Sequence, residues 1–295
     1  MNARDLIQRI RRIEITTRRA VEDSLGGQYH SVFKGRGMDF HDVRAYAPGD
    51  EVRAIDWNVS ARTGHLHVKR FVEERELTVM VLCDLSASTD FGSGARTKAE
   101  VAAEIVALLA FSAVQNGDRV GLYLFTDEVE RFVPPRKGRR HALRLVSEIL
   151  QFRPRSRRTD LGAALTQLRR TVRRRCVAFV LSDFLDDEAR FEQPLRIAAR
   201  KHDLVPIRIE DRLERTLPPA GLALLEDPET GATVRVDLSD RRVRDRLSAE
   251  AGAAEQRLTR LFSRLDLDHA RVRADDADYV GPLLAFFQAR ARRIG

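Results

Sequence analysis

The 295-residue chain has few features of the specialised protein classes. It has only two cysteines, so neither a disulfide framework nor a cysteine-rich zinc site is expected. Cys83 and Cys176 each lie in an apolar run, a context typical of buried, reduced thiols. No apolar run approaches the roughly 20 residues that cross a bilayer, and the N-terminus has no signal-peptide core. We therefore expect a cytoplasmic protein with no membrane span.

The basic charge of the chain is concentrated in one region. The formal net charge is +8, yet residues 131–175 alone hold 15 lysines and arginines against two acids. An even basic coat would favour a nucleic-acid partner, and binding through this arginine-rich region stays an alternative. The region has only two aromatic residues, Phe132 and Phe152, and no recognition motif, so specific base reading is not expected.

From residue 75 onward, short apolar runs alternate with stretches of helical periodicity. The runs 77–83 and 177–181 are continuously apolar, as in strands that are covered on both faces. This alternation predicts the α/β class, with a doubly wound, mainly parallel sheet. Further strands are expected at 120–125, 129–133, 204–209 and 270–272, and helices at 95–115, 140–151, 160–173, 187–201, 241–265 and 279–292.

The pattern predicts two parts. Residues 1–74 would form an N-terminal helix, over about residues 1–25, and a small β-rich module with turns at Gly26-Gly27 and Gly35-Arg36-Gly37. Residues 75–295 would form the α/β domain, with a β-hairpin insertion near 221–237. In the module, Trp57 is expected in the core, and a salt-bridged cluster is expected from Arg44, Asp50, Arg53 and Asp56.

Polar side chains follow the two continuously apolar runs. Asp84, Ser86 and Ser88 alternate directly after the first run, so an extended loop would aim all three the same way. Asp183 follows the second run, and Thr159 precedes a predicted helix. Ligands of open α/β sheets gather at the carboxyl ends of strands where the strand order reverses. Because these donors are all oxygen atoms, the pattern predicts a site for Mg²⁺, with Mn²⁺ or Ca²⁺ as other candidates.

Each hydroxyl of this set has a simpler explanation when taken alone. Serine and threonine are preferred helix N-caps, so Thr159, Ser86 or Ser88 could act only as a cap. The carboxylates at the strand ends are harder to explain in this way, since a buried charge needs a cation or strong hydrogen bonds.

The pattern Asp-x-Ser-x-Ser at 84–88, with Thr159 and Asp183, resembles the metal-ion-dependent adhesion site of von Willebrand factor A domains. The resemblance implies that Asp84, Ser86 and Ser88 bind the ion directly or through water. It further implies that Thr159 joins on ligand engagement and that Asp183 lies nearby. One coordination position would stay open for an acidic residue of a protein partner.

A second resemblance covers the N-terminal module. Residues 35–40, 43–57, 60–62 and 68–71 look like the hallmark of a bacterial family known as domain of unknown function 58. Its members carry a von Willebrand factor A-like domain after this segment, so the two resemblances agree. Family members are commonly encoded beside MoxR-type AAA+ ATPases, which implies such a partner and a chaperone-like role in the assembly or maturation of a protein complex.

Four arginines lead into Thr159, namely Arg153, Arg155, Arg157 and Arg158. We hypothesise that they form a basic rim that steers an acidic partner to the metal.

An enzyme remains the main rival to this interpretation. The acidic segment 183–187 resembles the metal loop of haloacid dehalogenase-like Mg²⁺-dependent phosphatases. In those enzymes a second aspartate follows the nucleophile by two residues as general acid, and Ser86 holds that position here. With no general base beside the ligands and no nucleotide-binding motif, we expect a protein that is not an enzyme.

Overall fold

The computed structural model describes residues 8, 10, 11, 13, 14, 39–72 and 76–294. Of the predicted N-terminal helix, the described positions are helical, and Ile13 is buried against Ala107 and Val146. The rest of that helix and the predicted turns at 26–27 and 35–37 lie outside the described residues.

The N-terminal module contains strands β1 (Asp39–Ala45) and β2 (His67–Val72) and, between them, helix α1 (Trp57–Thr63). The two strands pair antiparallel. Asp56 caps α1 by accepting hydrogen bonds from the backbone N–H groups of Asn58 and Val59.

Two expectations for this module need correction. Trp57 is 64% exposed and not in the core, because it is the first residue of a short helix that begins at the surface. The charged cluster forms only in part. Arg44 pairs with Asp50 at 2.6 Å, whereas Asp56 serves as the helix cap and approaches Lys69 at 4.0 Å.

The rest of the chain alternates between strands and helices. The strands are β3 (Thr78–Asp84), β4 (Arg119–Phe125), β5 (Val129–Arg136), β6 (Val177–Ser182), β7 (Asp203–Glu210), β8 (Leu222–Glu226), β9 (Thr233–Asp237) and β10 (Ala270–Arg273). The helices are α2 (Lys98–Gln115), α3 (Arg139–Gln151), α4 (Leu161–Thr171), α5 (Glu188–Lys201), α6 (Arg241–Arg264) and α7 (Val280–Ile294).

Six of these strands form one sheet in the order β10-β7-β6-β3-β4-β5. All neighbours pair parallel except β4 and β5, which are antiparallel. The prediction of a doubly wound, mainly parallel sheet is therefore confirmed. Strands β8 and β9 form a separate antiparallel hairpin.

Alternating side chains of the central strands enter two hydrophobic cores, one on each face of the sheet. Val79 and Val81 of β3 pack on the face covered by α2, α3 and α7. Met80 and Leu82 pack on the opposite face, against α4, α5 and α6. Burial on both faces explains why β3 and β6 have continuously apolar sequences. Both cysteines are free and buried, as predicted.

The strand order reverses beside β3. The chain passes from β3 through α2 to β4 on one side, and it later returns as β6 on the other side. The carboxyl ends of β3 and β6 therefore flank the crevice where a doubly wound sheet binds its ligands.

Gly121 of β4 tests how closely this sheet is packed. A Cβ atom there would lie 2.8 Å from Met80 Cε and 2.9 Å from the backbone nitrogen of Pro135. We expect Gly121→Ala to lower the free energy of unfolding by about 1–3 kcal/mol through overpacking, measured by urea denaturation.

The matched control is Gly252→Ala in α6, where a Cβ would meet no atom within 4 Å. Because glycine weakens a helix interior, this variant should gain about 0.5–1 kcal/mol. Equal effects at the two positions would contradict the packing argument.

Candidate metal centre

The loop after β3 brings its three polar side chains together. Asp84 Oδ1 accepts the Ser86 backbone N–H at 3.0 Å, and Asp84 Oδ2 accepts the Ser182 hydroxyl at 2.7 Å. The hydroxyl oxygens of Ser86 and Ser88 are 3.2 Å apart. All four side chains belong to buried residues, so their orientation is fixed by the loop and by β6.

Asp183 joins the same cluster from the end of β6. The nearby Ser88 hydroxyl helps to lower the pKa of its carboxyl group, and its Oδ1 accepts the Leu185 backbone N–H at 3.2 Å. On the other side, Lys98 Nζ of α2 donates to Asp183 Oδ2 at 2.7 Å and also to Glu214. Asp183 thus connects the serine loop to a buried ammonium group.

Thr159 lies in the loop before α4. This loop is held in place by two backbone hydrogen bonds, Ala87 N–H to Arg157 O at 3.0 Å and Asp160 N–H to Thr126 O at 2.9 Å. The first of these bonds ties it directly to the loop that holds Ser86 and Ser88. Thr159 is buried, with 4% of its surface exposed.

The capping explanation for these hydroxyls is wrong. Helix α4 is capped by Asp160, whose side chain accepts the Ala163 backbone N–H at 2.8 Å. Helix α2 is capped by Thr97 in a reciprocal arrangement with Glu100. Ser86 precedes a 3₁₀ turn, but its side chain makes no capping bond. Thr159 and Ser86 are therefore not used as helix caps.

The two aspartates differ in electrostatic environment. Burial, reinforced by the negative charge of Asp183, raises the pKa of Asp84 to about 7. Burial also opposes ionisation of Asp183, but the Lys98 ammonium, together with hydrogen-bond donors at Ser88 and Leu185, outweighs it and lowers the pKa of Asp183. Asp84 is thus a buried carboxyl group that would gain most from a nearby cation.

The donor set fits a hard divalent cation. Neighbouring ligands of an octahedral Mg²⁺ lie about 2.9 Å apart, since each oxygen is about 2.0–2.1 Å from the ion. The 3.2 Å between the hydroxyl oxygens of Ser86 and Ser88 is close to that value. Within the described part of the chain, no three His, Cys, Asp or Glu side chains group as a metal site. Any cation at Asp84 therefore depends on hydroxyl donors.

Four contributors were absent from the sequence prediction: Ser182, Lys98, Glu214 and Glu229. Glu229, at the tip of the β8–β9 hairpin, accepts the Thr159 hydroxyl at 2.6 Å through Oε1 and the Thr159 backbone N–H at 3.3 Å through Oε2. Ser182 could have been found from the sequence, because it directly precedes Asp183 at the end of a buried strand. The others come from distant segments without a motif.

The four rim arginines are exposed beside this site. Arg157 differs from the others because its guanidinium binds the hairpin, donating to Pro228 O at 2.8 Å and to Glu226 Oε1 at 3.3 Å. For Arg153, Arg155 and Arg158 the structure gives no such contact between guanidinium and hairpin.

The acidic segment after β6 is used for helix capping. Asp186 accepts the Leu161 backbone N–H at 3.2 Å and pairs with Arg190 at 3.2 Å. Asp187 caps α5 through the Ala189 N–H at 3.0 Å. Both carboxylates of this segment therefore have structural partners.

The structure thus belongs to the class of doubly wound α/β proteins, with carboxylate and hydroxyl oxygens gathered at the carboxyl edge of the sheet. Comparison with known proteins identifies the family. The model for "Protein of unknown function DUF58" matches residues 42–257, and the chain belongs to this family.

Similar proteins occur in other bacteria. The chain is 32% identical over 286 residues to the uncharacterized proteins Rv1480 of Mycobacterium tuberculosis and Mb1516 of Mycobacterium bovis, covering 96% of this chain and 89% of each relative. It is also 32% identical over 99 residues to YeaD of Bacillus subtilis, covering 34% of this chain and 23% of YeaD.

Solved structures similar to this chain include BatB, a conserved hypothetical protein of Bacteroides thetaiotaomicron (15% identity, 73% of this chain and 99% of that one, TM-score 0.47). They also include a von Willebrand factor type A protein of Catenulispora acidiphila (15% identity, 75% and 43%, TM-score 0.41). The fold itself is established by the strand order and directions given above. No helix among the described residues is long and apolar enough to cross a membrane.

Lys98 is the only cation in contact with Asp183 among the described ion pairs, and it is 1% exposed. Lys98→Met would leave two carboxylates without their shared partner, so we expect the free energy of unfolding to fall by about 3–5 kcal/mol. The measurement is urea denaturation in a chelating buffer, which removes any compensating metal ion.

Lys137→Met is the control, because Lys137 pairs with Glu76 at the surface and is 44% exposed. An exposed pair contributes little in water, so the unfolding midpoint should barely change. A loss at Lys98 as small as that at Lys137 would contradict the role assigned to the buried ammonium.

Proposed function

We propose that this protein is a metal-dependent protein-interaction module and not an enzyme. The observation that supports the proposal is the grouping of Asp84, Ser86, Ser88 and Asp183 at the carboxyl edge of β3 and β6, together with the hydrogen bond that ties the loop of Thr159 to the serine loop. These side chains would hold Mg²⁺, with Mn²⁺ or Ca²⁺ as substitutes in vitro. The ion would supply a positive charge that binds an acidic residue of a second protein.

Each residue has a separate task in this proposal. Asp84 supplies the buried negative charge, and Ser182 fixes its orientation. Ser86 and Ser88 supply neutral oxygens, which leave the bound ion with uncompensated positive charge for an external carboxylate. Asp183 would lie near the ion, but its charge is largely offset by Lys98. Its contribution would be to position the Ser88 hydroxyl and to add negative electrostatic potential at the ion.

The proposed partner is a MoxR-type AAA+ ATPase, working with this protein in the chaperone-like assembly or maturation of a protein complex. The basis is membership of the DUF58 family together with the resemblance described for its N-terminal module. The exposed side chains of Arg153, Arg155 and Arg158 would accelerate encounter with an acidic surface of the partner.

The metal site can be tested without the partner. We expect Asp84→Asn to weaken Mn²⁺ binding, measured by electron paramagnetic resonance, at least tenfold, because the variant keeps the side-chain shape but loses the anionic ligand. Asp186→Asn is the matched control and should change affinity less than about twofold, since Asp186 accepts the Leu161 N–H at the start of α4 and pairs with Arg190. The opposite ranking would favour the phosphatase-like acidic loop and overturn the proposal.

Partner binding is the second test. In a pull-down with a purified MoxR-type ATPase, we expect capture in Mg²⁺ and loss of capture on chelation or with Asp84→Ala. Reversing Arg153, Arg155 and Arg158 to Glu should slow association several-fold and flatten its salt dependence. Capture that survives both chelation and Asp84→Ala would disprove the metal bridge, and phosphatase activity lost with Asp84→Ala would establish the enzyme instead.

A further inference from the structure

Among the described hydrogen bonds, the β8–β9 hairpin contacts the loop of Thr159 through its tip and the neighbouring Glu226. Both carboxylate oxygens of Glu229 accept hydrogen bonds from Thr159, one from the hydroxyl at 2.6 Å and one from the backbone N–H. Next to it, Arg157 donates to Pro228 O and pairs with Glu226. The tip is therefore docked on the one loop of the centre whose threonine is a proposed ligand.

Hydrogen bonds within the tip of the hairpin fix the position of Glu229. Asp227 accepts hydrogen bonds from the backbone N–H of Glu229 at 2.9 Å and from the Thr230 hydroxyl at 2.7 Å. Gly231 has φ +72°, a left-handed conformation that suits glycine, and its N–H donates to Asp227 O at 2.8 Å. The carboxylate at 229 is thus held by a preformed turn and does not depend on a flexible loop.

The body of the hairpin has little to hold it. Its side chains Leu222, Leu224 and Val234 are 70%, 64% and 61% exposed, so the hairpin does not bury an apolar face as the sheet strands do. The position of the hairpin beside the centre consequently depends on the polar contacts of Glu229 and Arg157. A cation bound in the centre can strengthen or weaken these contacts.

We propose that Glu229 is a further ligand residue of the divalent cation and closes the metal centre from within the chain. This inference rests on the proposed function, since it uses the same ion. The 2.6 Å between Thr159 Oγ1 and Glu229 Oε1 suits two neighbouring oxygens of one octahedral ion, for which about 2.9 Å is ideal. The hairpin carboxylate thus takes the place that the partner's acid would take, and a partner must displace it.

The charges of the cluster favour a bound cation. Asp84, Asp183, Glu214 and Glu229 contribute four formal negative charges against the one positive charge of Lys98, a balance of minus three. A divalent cation reduces this balance to minus one and so relieves most of the repulsion that gathering these carboxylates creates.

Glu229→Gln tests the inference in the full chain, with the metal ion alone as the probe. The amide oxygen can still accept the Thr159 hydroxyl, so the docking of the tip is retained while the anionic ligand is lost. We expect Mn²⁺ affinity to fall about tenfold. Glu250→Gln is the matched control, with the same charge change on α6, where Glu250 is 58% exposed and pairs with Arg246. It should alter affinity less than about twofold.

Hydrogen–deuterium exchange supplies a readout independent of affinity. Mg²⁺ should slow exchange at residues 226–232 in the wild type and not in Glu229→Gln. Unchanged Mn²⁺ affinity in Glu229→Gln, or equal Mg²⁺ protection in both proteins, would overturn this inference and leave the proposed function standing. Failure of the wild type to bind Mn²⁺, or binding insensitive to Asp84→Asn, would overturn both.

Discussion

The arrangement around the candidate centre follows from one constraint, the burial of a carboxyl group at the end of a strand that is covered on both faces. Asp84 has no room to reach water, so each of its oxygens must find a donor within the fold. The Ser86 backbone and the Ser182 hydroxyl supply those donors. Because Ser86 follows β3 and Ser182 ends β6, these two hydrogen bonds also fix how the ends of the two strands meet at the edge of the sheet.

The same constraint explains the buried lysine. A second carboxylate, Asp183, lies close enough to Asp84 for their charges to repel, and two adjacent buried anions would be strongly unfavourable. The Lys98 ammonium offsets this repulsion by pairing with Asp183. It also pairs with Glu214, so its positive charge is shared between the two carboxylates. Asp84 is left as the aspartate of the pair without a protein cation in direct contact among the described ion pairs. Asp183 therefore has a buried cation as its structural partner, whereas Asp84 is held by the hydrogen bonds from Ser86 and Ser182.

The sequence predicted the sheet because the physical signals are local. Continuous apolar runs at 77–83 and 177–181 can be buried on both faces only in a central parallel strand, and each ends in an aspartate that the topology then brings to one edge. Trp57 was placed wrongly, because aromatic character indicates burial only on average, whereas the cap at Asp56 fixes where the helix begins. Thr159 and Asp160 are adjacent and both suit an N-cap, and only the structure shows that Asp160 takes that task. Glu229 was unpredictable, since it meets Thr159 across 70 residues of chain.

The hairpin that carries Glu229 leaves and rejoins the domain at nearly the same point, where Ala220 N–H and Leu238 N–H bond to Leu238 O and Gly221 O. A segment with adjoining ends can change length at small entropic cost and without disturbing the sheet. Evolution can therefore lengthen, shorten or remove this arm independently of the core. The proposed ion site at the edge of the sheet and the hairpin beside it are therefore open to separate selection.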